Sequence, residues 1–314
     1  MKADTGHYPV MLPEVLEQLC PSAGALYVDG TFGAGGYSRA ILGEAQCSVV
    51  AIDRDPDAAK RAEAFKEEFG ERFTFLSGCF GDVQELLQNA AIGKVDGFVL
   101  DLGVSSFQFD EGERGFSYRF DAPLDMRMSI GRGETAAELI ARLEEEDLAN
   151  VIYKYGEERK SRRIARKIVE KRNDAPIETT FQLADIVRSC LPRPKPHEID
   201  PATRTFQALR IAVNDELGEL ERALKVLPDV LQPKGRAVIV SFHSLEDRLV
   251  KNSFRDLSGG VGTSRYLPQV SEETASFKLL TKKAVKPSAK ECQENGRSRS
   301  ARLRAAEYIG GGRV

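Results

Sequence analysis

Three short apolar runs near the N-terminus, residues 25–29, 48–53 and 97–101, each close on an aspartate: Asp29, Asp53 and Asp101. A fourth run, 73–77, lies between the second and third of these. Residues 36–45, 57–69 and 83–89 carry helical patterns between the runs, with Ala58, Ala62 and Phe65 at a 3–4 spacing. Runs that are apolar throughout suit strands buried on both faces, and a helix between successive strands makes them parallel. The repeat therefore predicts an α/β domain with a mostly parallel sheet and helices on both faces. It also places the three carboxylates at the carboxyl edge of that sheet, where open α/β folds bind ligands.

The rhythm stops at Gly103. From there to about Asn214 no good strand is found. A loop rich in Gly, Ser, Arg and Phe fills 103–133, and two capping boxes follow, Thr135-x-x-Glu138 and Thr179-x-x-Gln182. Ile164 and Ile168 share one face of a helix, and Pro192, Pro194 and Pro196 make an extended linker. This stretch reads as an inserted all-helical domain. The α/β pattern returns with a helix at 216–231, a turn at Pro233-Lys234-Gly235, a fifth strand at 236–242 and a helix at 244–255. Closing strands are expected at 277–284 and 302–309, with a mobile stretch at 286–300. The expected organisation is 1–104 and 215–314 as the two parts of one domain, with 105–214 inserted.

A net charge of −3 over 314 residues gives no global basic signature, so nucleic-acid contact must come from local patches. Two exist. Eight Lys/Arg fall between Arg159 and Arg172 against one acid, Glu170, and eight more between Lys282 and Arg304. Either run also suits a solvated face or tail. No signal peptide and no membrane-length apolar stretch is read, so a cytoplasmic protein without membrane contact is expected. Five scattered cysteines without a CxxC pair argue against a disulfide framework and a zinc site, and no metal is expected.

The first strand runs into Gly30-Thr31-Phe32-Gly33-Ala34-Gly35-Gly36-Tyr37-Ser38. A dinucleotide turn wants G-x-G-x-x-G, and Ser38 occupies its third glycine position. The S-adenosyl-L-methionine (SAM) version wants glycines at +2, +4 and +6 from the strand's last acid. Gly33 and Gly35 supply two of these, but Thr31 stands at +2. Gly36 suits close backbone approach to a ligand. Asp53 is placed to accept two ribose hydroxyls, which fits either NAD or SAM. No Gly-Lys-Ser/Thr follows, so a P-loop is excluded.

With further motifs the chain resembles the bacterial 16S rRNA (cytosine-N4) methyltransferases, the RsmH or MraW family. The resemblance rests on Asp29-Gly-Thr-Phe-Gly-x-Gly-Gly, Ala51-Ile-Asp-Arg-Asp55, Asp101-Leu-Gly-Val-Ser-Ser106 and Arg114-Gly-Phe-Ser117. It continues through Pro123-Leu-Asp-Met-Arg-Met128, Pro201-Ala-Thr-Arg-Thr-Phe-Gln-Ala-Leu-Arg-Ile211 and Ser241-Phe-His-Ser-Leu-Glu-Asp247. The resemblance implies a SAM-dependent Rossmann-like methyltransferase domain interrupted by a helical insertion. The substrate it implies is a cytidine in the decoding region of 16S rRNA within the small ribosomal subunit. Matched by position, it implies SAM contacts at Gly35, Gly36, Tyr37, Asp53, Phe80, Asp101 and Gln108, beside Gly33 of the glycine pattern. Tyr37 and Asp200 depart from the family, which usually has His at both places. A homodimer is compatible with the sequence, which sets no oligomeric state.

Methyl transfer to an exocyclic amine is an in-line displacement that positioning can accelerate without a metal. Asp101 is the expected catalytic residue, orienting the donor, accepting an N4 hydrogen, or both; its plainer role is to cap the next turn. His243 either faces the base or bonds a loop. Phe80 could pack on adenine, and Phe107 or Phe116 on a flipped cytosine, but core packing is the better default for any single Phe. C5 methylation would need a cysteine nucleophile, for which Cys79 and Cys190 are the choices. An NAD-dependent oxidoreductase and a non-catalytic SAM- or nucleotide-sensing protein are the competing readings.

Overall fold

The structure is a computed structural model describing residues 9–103, 112–129, 131–193, 195, 198–260 and 275–310. The chain divides into two compact units, Met1–Gly103 with Leu217–Val314, and Val104–Glu216.

The first unit holds seven strands: β1 (Leu26–Asp29), β2 (Ser48–Asp53), β3 (Phe73–Ser77), β4 (Val95–Asp101), β5 (Leu231–Ser241), β6 (Phe277–Leu279) and β7 (Arg302–Tyr308). They form one sheet in the order β3-β2-β1-β4-β5-β7-β6. The pairings from β3 through β5 are parallel, and β7 pairs antiparallel with β5 and β6. Helices α1 (Leu12–Leu19), α2 (Gly36–Glu44) and α3 (Pro56–Phe69) pack on one face. Helix α4 (Val83–Asn89) covers the other.

Strand alternation divides the core. Tyr27, Val49 and Ala51 join the α1–α3 side, while Val28, Val50 and Ile52 join the α4 side. Both sets are buried, which is why these strands read as continuous apolar runs. Order reverses at β1: β2 and β3 lie on one side, β4 and β5 on the other. That switch point opens a crevice at the carboxyl edge.

Two local expectations fail. Pro233-Lys234-Gly235 is not a turn between elements. It lies inside β5, with Lys234 at φ 73° and a register shift opposite Val95 and Gly97, so the local kink is absorbed as an irregularity in the ladder. In place of the mobile stretch that the sequence suggests at 286–300, Ala289–Glu294 is helical and Gly296–Ser300 a 3₁₀ turn. Ser288 and Asn295 cap these elements through side-chain oxygens, and Ser298 is fully buried. Low hydropathy hid an ordered segment held by caps.

The second unit is helical: α5 (Ala136–Arg142), α6 (Glu145–Gly156), α7 (Ser161–Asp174), α8 (Thr180–Cys190) and α9 (Thr203–Asn214). Both capping boxes form as read, at Thr135 and Thr179. Leu148, Ile152, Ile164, Ile168, Leu183 and Val187 centre its own core. The chain then returns to the first unit through α10 (Glu216–Val230), followed after β5 by α11 (Ser244–Leu257) and later by α12 (Ala289–Glu294). Val250 and Phe254 of α11 and Leu220, Leu224 and Leu227 of α10 pack on the α4 side of the sheet.

Candidate active site

The glycine loop between β1 and α2 is fixed by the protein itself. Asp29 is fully buried, and its Oδ1 accepts the Thr31 N–H at 3.2 Å. Its Oδ2 accepts the Ser38 N–H at 3.1 Å and the Ser38 hydroxyl at 2.7 Å. Burial is the larger influence and lifts its pKa to about 6, even though these bonds pull it down. Ser38, which spoils the dinucleotide pattern, is thus the partner of the strand-terminal acid. Phe32 plugs the loop into the core, 5.1 Å from Phe65 between ring centroids.

The glycines are required by close packing. Gly35 has φ 79°, and a Cβ there would stand 2.2 Å from Phe65 Cζ. At Gly36 it would stand 2.3 Å from Pro9 Cγ. The close approach read at Gly36 as room for a ligand is made by Pro9. The Tyr37 ring is 4% exposed, and its hydroxyl donates to the Val10 carbonyl at 2.5 Å. The side chain faces inward because α2 buries that side of its first turn, so only the backbone of residue 37 remains for a ligand.

Asp53 closes β2. Its Oδ2 accepts the Gly33 N–H and its Oδ1 the Asp55 N–H, both at 2.8 Å. A carboxylate oxygen carries two lone pairs, so each oxygen keeps one for a hydroxyl. Arg61 donates to the Gly33 carbonyl at 2.9 Å and pins the same turn. Phe80, half-buried after β3, brings its Cβ within 3.1 Å of where a Gly30 Cβ would lie. Phe80 therefore stands beside β1 at the carboxyl edge.

Asp101 is different. Its backbone N–H donates to Thr31 Oγ1 at 2.7 Å, but its side-chain Oδ1 is sealed from water without a hydrogen-bond partner among the described residues. It caps nothing there. Burial, then the nearby Asp29, Glu246 and Glu291 carboxylates, holds its pKa well above the usual range. Asp101 thus stands at the carboxyl edge beside the switch point, the place where open α/β sheets bind ligands.

His243 bonds into the chain around it through Nδ1, while its Nε2 is buried without a hydrogen-bond partner among the described residues. It precedes α11 as its N-cap, with Nδ1 accepting the Glu246 N–H at 3.4 Å, while Glu246 Oε2 accepts the Phe242 and His243 N–H groups at 2.8 and 3.2 Å. Its Nε2 lies 3.0 Å from Glu246 Oε1 but off the hydrogen-bond direction, so proximity here is not a bond. The signal for Glu246 was available as a capping-box spacing with His in the cap position. Cys79 is half-buried; burial, then Glu219, pushes its thiol up to about 12, which leaves no thiolate for a covalent mechanism. Sequence reasoning missed Glu219, 2% exposed and paired with Arg54 at 2.6 Å. Gln108 and Phe107 lie outside the described residues.

In the helical unit, Phe116 is buried in the core instead of offering a stacking face. Asp200 is buried enough to raise its pKa, yet Arg188 at 2.9 Å and the Ala202 N–H at 2.8 Å bring it below the usual range. It fastens the entry to α9. Asn214, also missed, clamps the backbone of Met126 and Met128 with 2.8 Å bonds.

The 159–172 run divides. Arg172 turns inward to the carbonyls of Ile140 and Leu143, and Lys167 and Lys171 pair with Glu170 and Asp174. Arg159, Lys160, Arg162 and Arg163 instead line a 480 Å³ pocket with Asn150 and the exposed Tyr153.

The parallel sheet with its reversed order, the acid-stapled glycine loop and the carboxylates at the strand ends define a nucleoside-cofactor enzyme of the Rossmann-like methyltransferase class. The model of the MraW methylase family matches residues 4–309, and the chain belongs to that family. It is similar to the ribosomal RNA small subunit methyltransferase H of Rhodospirillum rubrum, 55% identical over 98% of this chain and 95% of the relative. The protein of the same name from Granulibacter bethesdensis is 55% identical over 96% and 91%. Among solved structures, an rRNA methylase from Streptococcus thermophilus is 11% identical, covers 94% of this chain and 92% of that one, and gives a TM-score of 0.40.

Proposed function

We propose that this enzyme transfers a methyl group from SAM to the exocyclic N4 of a cytidine in the decoding region of 16S rRNA. The observation that carries the chemistry is the orphaned carboxyl of Asp101 at the end of β4. SAM, when bound, supplies the methyl group on a cationic sulfonium. The residues fit it: Asp53 retains lone pairs for the ribose diol, Phe80 offers an apolar face, and the Gly33, Gly35, Gly36 and Tyr37 backbone forms the turn. Asp101 serves as the acceptor for a hydrogen of N4. The amine's lone pair is shared with the ring, and a carboxylate drawing on its N–H localises that pair on nitrogen. Asp101 also takes up the proton that the product must lose.

The same reading places RNA phosphates on Arg159, Lys160, Arg162 and Arg163, which the structure leaves at a pocket rather than in ion pairs among the described residues. The substrate is rRNA in a small-subunit particle, and the enzyme works in the cytoplasm. No helix among the described residues is long and apolar enough to cross a membrane. Association as a homodimer is compatible with this reading.

The test is to supply radiolabelled SAM to unmethylated small-subunit particles, digest the RNA and resolve the nucleosides by mass. Label in N4-methylcytidine is expected. Label in a C5-methylated base would overturn the site chemistry, and no transfer to RNA would overturn the substrate.

A further inference from the structure

Residues 9–11 lie between the glycine loop and the C-terminal segment and bond to both. On one side Pro9 fills the space over Gly36, and the Val10 carbonyl accepts the Tyr37 hydroxyl at 2.5 Å. On the other, the Met11 N–H donates to Glu291 Oε1 at 2.7 Å, across 280 residues of sequence. Met11 is fully buried and sits in the left-handed region at φ 53°. A non-glycine residue stays there only when its surroundings hold it. Glu291 is itself held: it occupies the first turn of α12, and its N–H is capped by Ser288 Oγ at 3.1 Å.

Helix α2 needs such a strap. Its N-cap is Gly35, no side chain caps it, and no acidic residue stands in its first turn. The usual local devices that fix a helix start are missing. Beyond the Asp29–Ser38 staple, Pro9 fills the space over Gly36 and Val10 accepts the Tyr37 hydroxyl.

We propose that Glu291 is a positioning residue for the cofactor site, acting through the 9–11 strap on the first turn of α2. The C-terminal segment thereby sets the shape of a loop formed near the other end of the chain. The inference rests on the reading of that loop as the SAM site. Glu291→Ala removes the acceptor of a buried N–H. Glu291→Gln keeps an oxygen there and removes only the charge.

The experiment is calorimetric titration of the full chain with SAM, paired with deuterium exchange over residues 36–40. Glu291→Ala is expected to weaken SAM roughly 5- to 30-fold, the loss of one buried hydrogen bond, and to speed exchange at 36–40. Glu291→Gln is expected to restore both, which a general loss of stability would not predict. Tyr37→Phe, which deletes the strap's other bond, should weaken SAM in the same direction. A folded Glu291→Ala that binds SAM within twofold of wild type would overturn the positioning role. Should Glu291→Ala not fold, unchanged SAM affinity in Tyr37→Phe would overturn it instead. Wild-type protein that failed to bind SAM would overturn the cofactor reading itself.

Discussion

Asp101→Asn separates stability from activity because the native carboxyl is buried with an oxygen that has no described partner. Its Oδ1 accepts no hydrogen bond among the described residues, and Asp29, Glu246 and Glu291 bear on it with like charge. Asparagine has the same shape and no charge, so the fold loses no described side-chain bond. The linkage sign follows from the raised pKa. Between the unfolded value of 3.8 and the higher folded one, the folded state holds the extra proton. Stability therefore falls as pH rises through that window. Asparagine lacks this loss, and the variant should gain on wild type in urea melts as pH increases. Activity should move the other way. Removing a positioned proton acceptor typically costs 10²–10⁴ in rate, or about 3–5 kcal/mol. In the free enzyme the ionised form grows with pH, so kcat/KM for SAM should climb up to the raised pKa and then level. That limb should be absent in the variant. The assay is single-turnover transfer of labelled methyl to unmethylated small-subunit particles across a pH series. Transfer within threefold of wild type, with the same limb, would refute the role given to Asp101.

Gly35→Ala should destabilise the first unit by about 2–4 kcal/mol in urea melts, combining a left-handed residue with a clash against Phe65. Cys79→Ser should keep methyl transfer within about twofold, since a thiol pushed up to about 12 is no nucleophile at neutral pH; a loss of a hundredfold or more would restore the covalent alternative. Replacing Arg162 and Arg163 by Ala should lower the salt slope of RNA binding by about 2. Arg304→Ala should leave the slope unchanged and reduce stability, because Arg304 is held on Asp247 at 2.7 Å; filter binding from low to high salt checks both.

The central parallel strands β1, β2 and β4 were legible because they are buried on both faces and each ends in an aspartate. Asp29, Asp53 and Asp101 could be placed at strand ends before any contact was known. Their different duties could not. Asp29 spends its oxygens on Thr31 and Ser38, Asp53 shares its own between backbone and crevice, and Asp101 spends no hydrogen bond on Oδ1. Three residues with one sequence signature differ through tertiary burial and partner count. Charge runs were legible only as runs. Arg304 and Arg172 belong to basic stretches yet are consumed by Asp247 and by helix-end carbonyls, which their neighbours in sequence do not reveal. Residues 286–300 hid for the complementary reason: caps at Ser288 and Asn295 order a polar segment that has little apolar periodicity.

The glycine loop shows why motif spacing alone left its cofactor open. Gly35 and Gly36 are glycine because Phe65 and Pro9 stand where a Cβ would go, and Ser38 is serine because Asp29 needs a donor. These are demands of the protein on itself. A loop fixed from within can keep its shape before a ligand arrives, so less of the binding energy is spent on ordering it. At the carboxyl edge of β4 the sealed Asp101 Oδ1 makes no such internal bond among the described residues, and the proposed function assigns it the substrate-facing work. A departure from a glycine pattern therefore distinguishes cofactors poorly when the departing residue bonds to its own strand, as Ser38 does to Asp29.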